Sequence, residues 1–392
     1  MSRIEEMLRE LCPEGVEYWS LGEVVDYSKS KVSASNLDES SFVGVDNLKA
    51  NCGGRVDAQH GPNTEALTEF QPNDVLLGNI RPYLKKAWLS DRMGGASGDV
   101  LVLRIRGEFE DAIIPDFLYY IISSDSFFRY DQQHARGGKM PRGDKMKILE
   151  YRIPVPPLGI QREIVDILDS FTRLKAELEA ELEARKVQYS FLRNMLLNFE
   201  FSAENVSVNL LGEEHFDVQE KRLGDIALIK TGRKFEGAFG SGLLPYVNGG
   251  VEPSGWVSCA NNPGMVITIP SRGSVGVVGF QWDQFWLGPL CYAVTPKEGV
   301  DPRFLYHQLK RQQTRLVALQ QTGSIPALNK KELVGFVIDV PPLYVQRRIA
   351  DVLDDFDALV NDLSSGLPAE IAARRQQYEY YRDRLFTFPE KK

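Results

Sequence analysis

The chain has 392 residues, of which 43% are hydrophobic and 26% charged, and a formal net charge of −8. This is an ordinary globular composition, enough for two or three domains. No apolar run approaches the roughly 18 residues of a membrane span, and the acidic balance argues against a binder of nucleic acid by bulk charge alone. The opening residues carry Glu5, Glu6 and Glu10 and do not read as a signal peptide. Cys12, Cys52, Cys259 and Cys291 are far apart and read as free thiols of a reducing compartment. His60, His134, His215 and His307 show no metal-ligand spacing, so no metal site is expected.

In chain order, residues 16–154 read as a mixed domain, with a β-like run at 99–105 and a helical pattern at 115–123. A long helix follows. No Pro or Gly interrupts residues 160–199, and Ile164, Ile167, Phe171, Leu174, Leu178, Leu192 and Met195 fit a heptad seam, with Glu181, Arg185 and Gln188 as exceptions. Residues 218–339 form a second mixed domain, with β-like runs at 265–269 and 274–280, near-alternation at 280–286 and a helical pattern at 302–319. A second helix starts near Tyr344, and Gly366-Leu367-Pro368 should break it. The expected domains are therefore 1–154, a helix and linker at 155–217, 218–339, and a final helical region at 340–392.

The two halves are copies. Residues 155–171 and 340–356 share eleven identities in seventeen positions without a gap. Leu21-Gly22-Glu23-Val24 matches Leu223-Gly224-Asp225-Ile226, and Gly138-Lys139-Met140-Pro141 matches Gly323-Ser324-Ile325-Pro326. Gln188-Tyr189 to Arg193 matches Gln377-Tyr378 to Arg382. A repeat this long sets the architecture. Forty helical residues extend roughly 60 Å, whereas a domain of ~140 residues is only about 35–40 Å across. A second domain bridging the two helices closes the chain more easily if they run antiparallel. The expected fold is α+β, with two mixed α/β domains held apart by a pair of long antiparallel helices and related by a pseudo-two-fold axis. Phe171, Leu174, Leu178, Tyr189, Phe356 and Tyr378 are expected to pack the helices.

Candidate chemistry is sparse. Phe239-Gly240-Ser241-Gly242 lacks the strand–loop–helix context of a phosphate loop, and residues 273–279 read as strand rather than nucleotide site. No Walker loop, nuclease motif or Asn-Pro-Pro-aromatic tetrad occurs, so no catalytic residue is assigned. Basic residues are more informative. Residues 136–147 hold Arg136, Lys139, Arg142, Lys145 and Lys147 against Asp144 alone. Gly137, Gly138 and Pro141 make this a loop suited to DNA phosphates and base edges. Arg81, Tyr83, Lys85 and Lys86 interleave basic and aromatic character after an apolar strand, with Ser271 and Arg272 as their counterparts. Arg81 and Arg272 are candidates to read guanine. Lys29 and Lys31, matched by Arg233 and Lys234, form a third pair, and Ser324 sits in the second copy of the loop.

In this order and twice over, the Leu-Gly-Glu/Asp start, the Gly-x-x-Pro loop, the Val-Pro-Pro-Leu-x-x-Gln-Arg-x-Ile helix start and the Gln-Tyr-x-x-x-Arg helix end resemble the specificity subunit of Type I restriction–modification systems. The resemblance covers nearly the whole chain. It implies that each mixed domain is a target recognition domain for one half of a split double-stranded DNA site, with the helices as ruler and dock. It implies two methyltransferase subunits as partners and two further restriction subunits for cleavage. S-adenosylmethionine, ATP and magnesium would belong to those partners, and none to this chain. No membrane partner is implied, and the compartment would be the cytoplasm.

Overall fold

The structure is a computed structural model that describes residues 2–199, 216–240, 242–321, 326–361 and 366–391. Among these, no helix is long and apolar enough to cross a membrane, and no group of His, Cys, Asp or Glu is placed to hold a metal ion. The chain divides into two compact units, one formed by Met1–Leu178 with Ile371–Lys392 and the other by Glu179–Glu370.

In the first unit, strand Glu17–Ser20 pairs antiparallel with Arg152–Val155. An antiparallel sheet runs in the order Val25–Tyr27, Val100–Ile105, Val75–Gly78, Ala87–Leu89. All four residues of Val75–Gly78 are buried, as an inner strand covered on both faces requires. A smaller sheet orders Lys31–Ser33, Ala66–Phe70, Gly94–Ala96 and Phe42–Val43, and its last pair is parallel. Helices Pro115–Ile122 and Asp125–His134 bring Phe117, Leu118, Phe127 and Phe128 into the core.

The second unit repeats this topology. Gln219–Arg222 pairs with Val337–Val340. Ala227–Thr231, Cys291–Pro296, Val266–Pro270 and Gly279–Gln281 form the four-stranded sheet, and Leu244–Val247 runs parallel to Trp286–Leu287 in a smaller one. The expected continuous strand character of residues 274–280 is corrected. Gly273 and Gly276 adopt φ of +81° and +73°, which turns the chain, and regular strand begins only at Gly279. Likewise residues 280–286 split between two strands. Helix Pro302–Arg311 buries Arg303, which is 7% exposed. Its guanidinium reaches Asp354 at 2.7 Å and Asp357 at 3.1 Å. It also lies 4.5, 4.5 and 4.4 Å from the ring centroids of Phe280, Trp282 and Tyr306.

The long helix is continuous over Leu158–Leu197, forty residues, close to the stretch the sequence marks. Its residues up to 178 belong to the first unit, where Phe171 stacks on Tyr381 at 5.9 Å and meets Tyr378 at 6.3 Å on helix Leu367–Leu385. Its later residues belong to the second unit, where Tyr189, Leu196 and Leu197 share a core with Val345, Ile349, Leu353 and half-buried Phe356 of helix Leu343–Asn361. The early half of the long helix thus meets the last helix and the late half meets the one before it, the order that antiparallel partners give. Leu174 and Leu178 are half-buried. Helix Leu343–Asn361 has ended before the Gly366-Leu367-Pro368 stretch where the break is expected, and the last helix starts at Leu367 with Pro368 in its first turn; residues 362–365 lie outside the described residues.

The repeated motifs are framework. Gln161 is fully buried and Gln346 is 1% exposed. Gln161 Oε1 accepts from Ile114 N at 2.9 Å, and its amide donates to the carbonyls of Ala112 and Pro156, both at 2.8 Å. Gln346 does the same with Asp301 N (2.9 Å), Gly299 O (3.2 Å) and Pro341 O (2.8 Å). Each glutamine clamps a helix start to the loop that launches the helix at Pro115 or Pro302. The Leu-Gly motif is a close-approach site. A Cβ on Gly224 would lie 2.6 Å from Val334 Cγ1, and one on Gly22 would lie 3.1 Å from Leu149 Cβ. Gly224→Ala should therefore destabilise the second unit by about 1–3 kcal/mol through overpacking, and Gly22→Ala should cost less. Urea midpoints of the two variants measure this; a Gly224→Ala midpoint equal to wild type would refute the close-packing account.

Candidate nucleic-acid interface

The buried strand Val75–Gly78 ends at Asn79, and from there the chain turns sharply. Asn79 N donates to Asp99 O at 2.9 Å. Arg81 takes a left-handed conformation (φ +55°), unusual for a side chain with a Cβ, and its N–H donates to Pro141 O at 2.7 Å. Residues 136–142 form a small hairpin in which Arg136 and Arg142 exchange two backbone hydrogen bonds of 2.8 Å. Gly143 N then donates to Asn79 O at 3.1 Å. The two basic segments singled out in the sequence are therefore one structural element, tied by main-chain bonds.

This element presents its cations outward. Arg81, Arg136, Lys139, Arg142, Lys145 and Tyr83 are all exposed. Arg136 pairs with Asp144 at 2.7 Å and Arg142 with Asp99 at 3.1 Å. Exposed pairs like these contribute only about 0–1 kcal/mol, so a phosphate can displace either carboxylate. The side chains of Arg81, Lys139 and Lys145 have no partner among the described residues. Asp144 also caps helix Lys145–Glu150 by accepting from Met146 N at 3.0 Å and Lys147 N at 3.4 Å, and hydrogen bonding to those amides holds its carboxyl below the usual range.

Other candidates lie elsewhere. Lys85 Nζ is bound to Asp125 at 2.6 Å and Lys86 Nζ to Val45 O at 2.7 Å, so both ammonium groups are spent inside the domain. Lys29 is exposed, and Lys31 donates to Thr68 Oγ1 at 3.2 Å at the edge of the smaller sheet. In the second unit, Arg233 lies over the Trp286 ring at 5.1 Å while Lys234 is exposed. Arg272 is exposed and Ser271 half-buried. Ser324 lies outside the described residues.

Backbone pairing shifts one equivalence. Ser271 N donates to Leu290 O at 2.8 Å and Ser271 O accepts from Leu328 N at 2.9 Å, the same bonds that Asn79 makes. Counting on from these anchors, Arg81 corresponds to Gly273, not to Arg272, and both have positive φ. Gln321 N donates to Ala327 O at 2.9 Å, as Arg136 N does to Arg142 O. The second unit thus keeps the frame while Arg136, Arg142 and Arg81 give way to Gln321, Ala327 and Gly273.

Beneath the first loop lies a group that no sequence signal marked. Asp131 is 1% exposed, and neither of its carboxylate oxygens has a hydrogen-bond partner among the described residues. Asn79 Oδ1 is buried and unpartnered too. Gly143 separates them, since a Cβ there would collide with Asp131 Oδ1 and Asn79 Oδ1. Burial pushes the Asp131 carboxyl up to about 6, opposed in part by His134.

The family model described as "Type I restriction modification DNA specificity domain" matches residues 100–185 and 216–373. The chain belongs to this family. Members are specificity rather than catalytic components, and DNA specificity is accordingly the role of this chain. The specificity subunit of the Type I restriction enzyme EcoR124I/EcoR124II of Escherichia coli is 33% identical over 61% of this chain, and the match spans 64% of that relative's length. The putative Type I specificity subunit S.MpnORF615P of Mycoplasma pneumoniae is also 33% identical, over 61% of this chain and 94% of its own. Among solved structures, a Type I restriction–modification S subunit from M. genitalium superposes with a TM-score of 0.64 at 17% identity, covering 95% of this chain and 96% of that one. A chain from a structural study of the assembly and conformational transition of the type I R-M system gives 0.62 at 20%, covering 95% and 97%. These two structures establish a shared fold.

Proposed function

We propose that this chain reads a split, asymmetric sequence in double-stranded DNA, one half-site per unit, and scaffolds two methyltransferase subunits, joined by two restriction subunits when DNA is cut. The observation that carries this reading is the doubled frame, in which one strand end and one loop share three main-chain hydrogen bonds in both units but carry different side chains. Identical frames suit one geometry of approach to DNA, and unequal side chains suit unequal half-sites. The continuous forty-residue helix, which contributes to both units, would set the unread spacer, since roughly 60 Å is about one and a half turns of B-DNA. S-adenosylmethionine, ATP and magnesium would act on the partner subunits, in the cytoplasm, where the four free cysteines would stay reduced.

The first unit's loop gives the test. In a complex of the full chain with its methyltransferase subunits, Arg81→Ala should weaken specific binding roughly 5- to 150-fold, the range for one bidentate base contact. Lys139→Ala should weaken all sequences alike and lower the salt slope by about 0.9. Titrations of labelled duplex at several salt concentrations separate the two effects. Unchanged affinity and slope in both variants would refute the assignment of this face to DNA.

A further inference from the structure

Within the first unit, a recess of about 290 Å³ opens between the recognition domain and the helices, lined by Lys85, Tyr119, Tyr120, Phe171, Tyr378 and Arg382, among others. Its floor holds a guanidinium whose hydrogen bonds are poorly aimed, and Asp383 Oδ1 beside it is buried without a donor among the described residues. The Arg382 side chain is only 8% exposed, and neither its Nε nor its Nη2 directs an N–H at any acceptor. The nearest carboxylates are ill-placed: Asp125 Oδ1 is 3.1 Å from Nη2 and Asp383 Oδ1 is 3.6 Å from Nε. Asp125 is also the partner of Lys85, at 2.6 Å, and Asp383 is 3.9 Å from Arg129. Arg375 and Glu379, also on the lining, neutralise each other at 3.1 Å. Lys175 lines the recess as well. Buried guanidinium donors without acceptors cost free energy, and a bound oxyanion would supply them.

The same device recurs in the other unit. Arg193 lies over Tyr189 at 5.3 Å as Arg382 lies over Tyr378 at 5.4 Å, and Arg193 Nε is likewise buried without an acceptor among the described residues. The Gln-Tyr-x-x-x-Arg motif therefore places an unfilled guanidinium edge beneath a tyrosine twice over.

We propose that the recess of the first unit is a binding site for a small phosphate-bearing anion, held by Arg382 and bordered by the tyrosine rings, with Asp125, the partner of Lys85, as the carboxylate it competes with. The depth of Arg382 favours a free anion over a duplex backbone, whose phosphates cannot leave the helix surface to enter a recess of this size. The site uses none of the residues assigned to the DNA-facing loop, so it stands or falls separately from that reading. Inorganic pyrophosphate, titrated calorimetrically into the full chain, is the probe. One saturable site is expected, weakened at least tenfold by Arg382→Met and tightened several-fold by Asp125→Asn, which removes the competing carboxylate. If Arg382→Met does not fold, Asp125→Asn decides alone, because misfolding cannot strengthen binding. No saturable binding at millimolar pyrophosphate would overturn the proposal. So would binding indifferent to Arg382→Met in a folded variant, affinity not raised by Asp125→Asn, or loss of pyrophosphate to a competing non-cognate duplex.

Discussion

Arg303→Met should destabilise the second unit by about 1.5–3 kcal/mol, the range for lost hydrogen bonds to charged groups, since Asp354 and Asp357 are only half-buried. Methionine preserves much of the length but leaves Asp354 and Asp357 facing each other without the guanidinium that both hydrogen-bond. It also gives up the contacts with the three surrounding rings. Arg303→Lys should recover only part of the loss, since an ammonium cannot span both carboxylates while lying flat among rings. Guanidinium titrations of both variants, with amide exchange to locate the loss, check this; a shift below 1 kcal/mol for Arg303→Met would show the cluster to be ornamental. The same cluster sets an acid limit. Burial pushes His307 below its ordinary value of 6.5, against the hydrogen bond it shares with Asp354 at 2.6 Å. A histidine held neutral in the fold contributes stability above pH 6.5, and that contribution is lost as pH falls below this value. Burial alone would raise Asp354, but hydrogen bonds from His307 and Arg303 outweigh it and hold it below 3.8. Its share is present above 3.8 and vanishes as pH drops through the lowered value. Stability of the second unit should thus decline in two stages on acidification, and Arg303→Met should flatten the lower one.

The second large effect concerns the paired glutamines. Gln161→Leu and Gln346→Leu keep the volume of the side chain but orphan one amide and two carbonyls apiece. At about 1–3 kcal/mol per buried unpaired group, less what relaxation recovers, each substitution should cost about 2–5 kcal/mol. The two sites lie in separate units, so their effects should add within about 0.5 kcal/mol. A double variant no worse than either single one would show that the units do not unfold independently. Gln→Glu at either position should be nearly as damaging, because a carboxylate can accept from the amide but cannot donate to the carbonyls.

These glutamines illustrate what a single sequence conceals. Their recurrence was visible at residues 161 and 346, but two of the three partners of each sit 45 to 49 residues away along the chain, and no local pattern announces a bond across that distance. The long helix was legible almost to the residue, because absence of Pro and Gly over forty positions is a local property. Strand breaks at Gly273 and Gly276 were not, since a glycine within apolar sequence serves strand and turn equally well until the backbone is seen. In the basic segments, composition could count charges but not aim them. Lys85 and Lys86 differ from Arg81 only in where the turn sends them, inward to Asp125 and Val45 O. Asp131 had no signal at all, being one acid in a polar helix whose burial depends on Gly143 reaching it.

The left-handed turn that holds Arg81 in one unit and Gly273 in the other has a further consequence. The bonds described for it join peptide groups, at Asn79 and Pro141 in one unit and at Ser271 and Leu328 in the other. At Arg81 the side chain can change within the limits that a left-handed backbone sets, whereas at Gly273 a Cβ would lie 2.4 Å from Gly249 O, so the tip of the second unit is held to glycine. The display of the first unit can therefore change one residue at a time on a fixed frame, while that of the second must change through the neighbours of its tip.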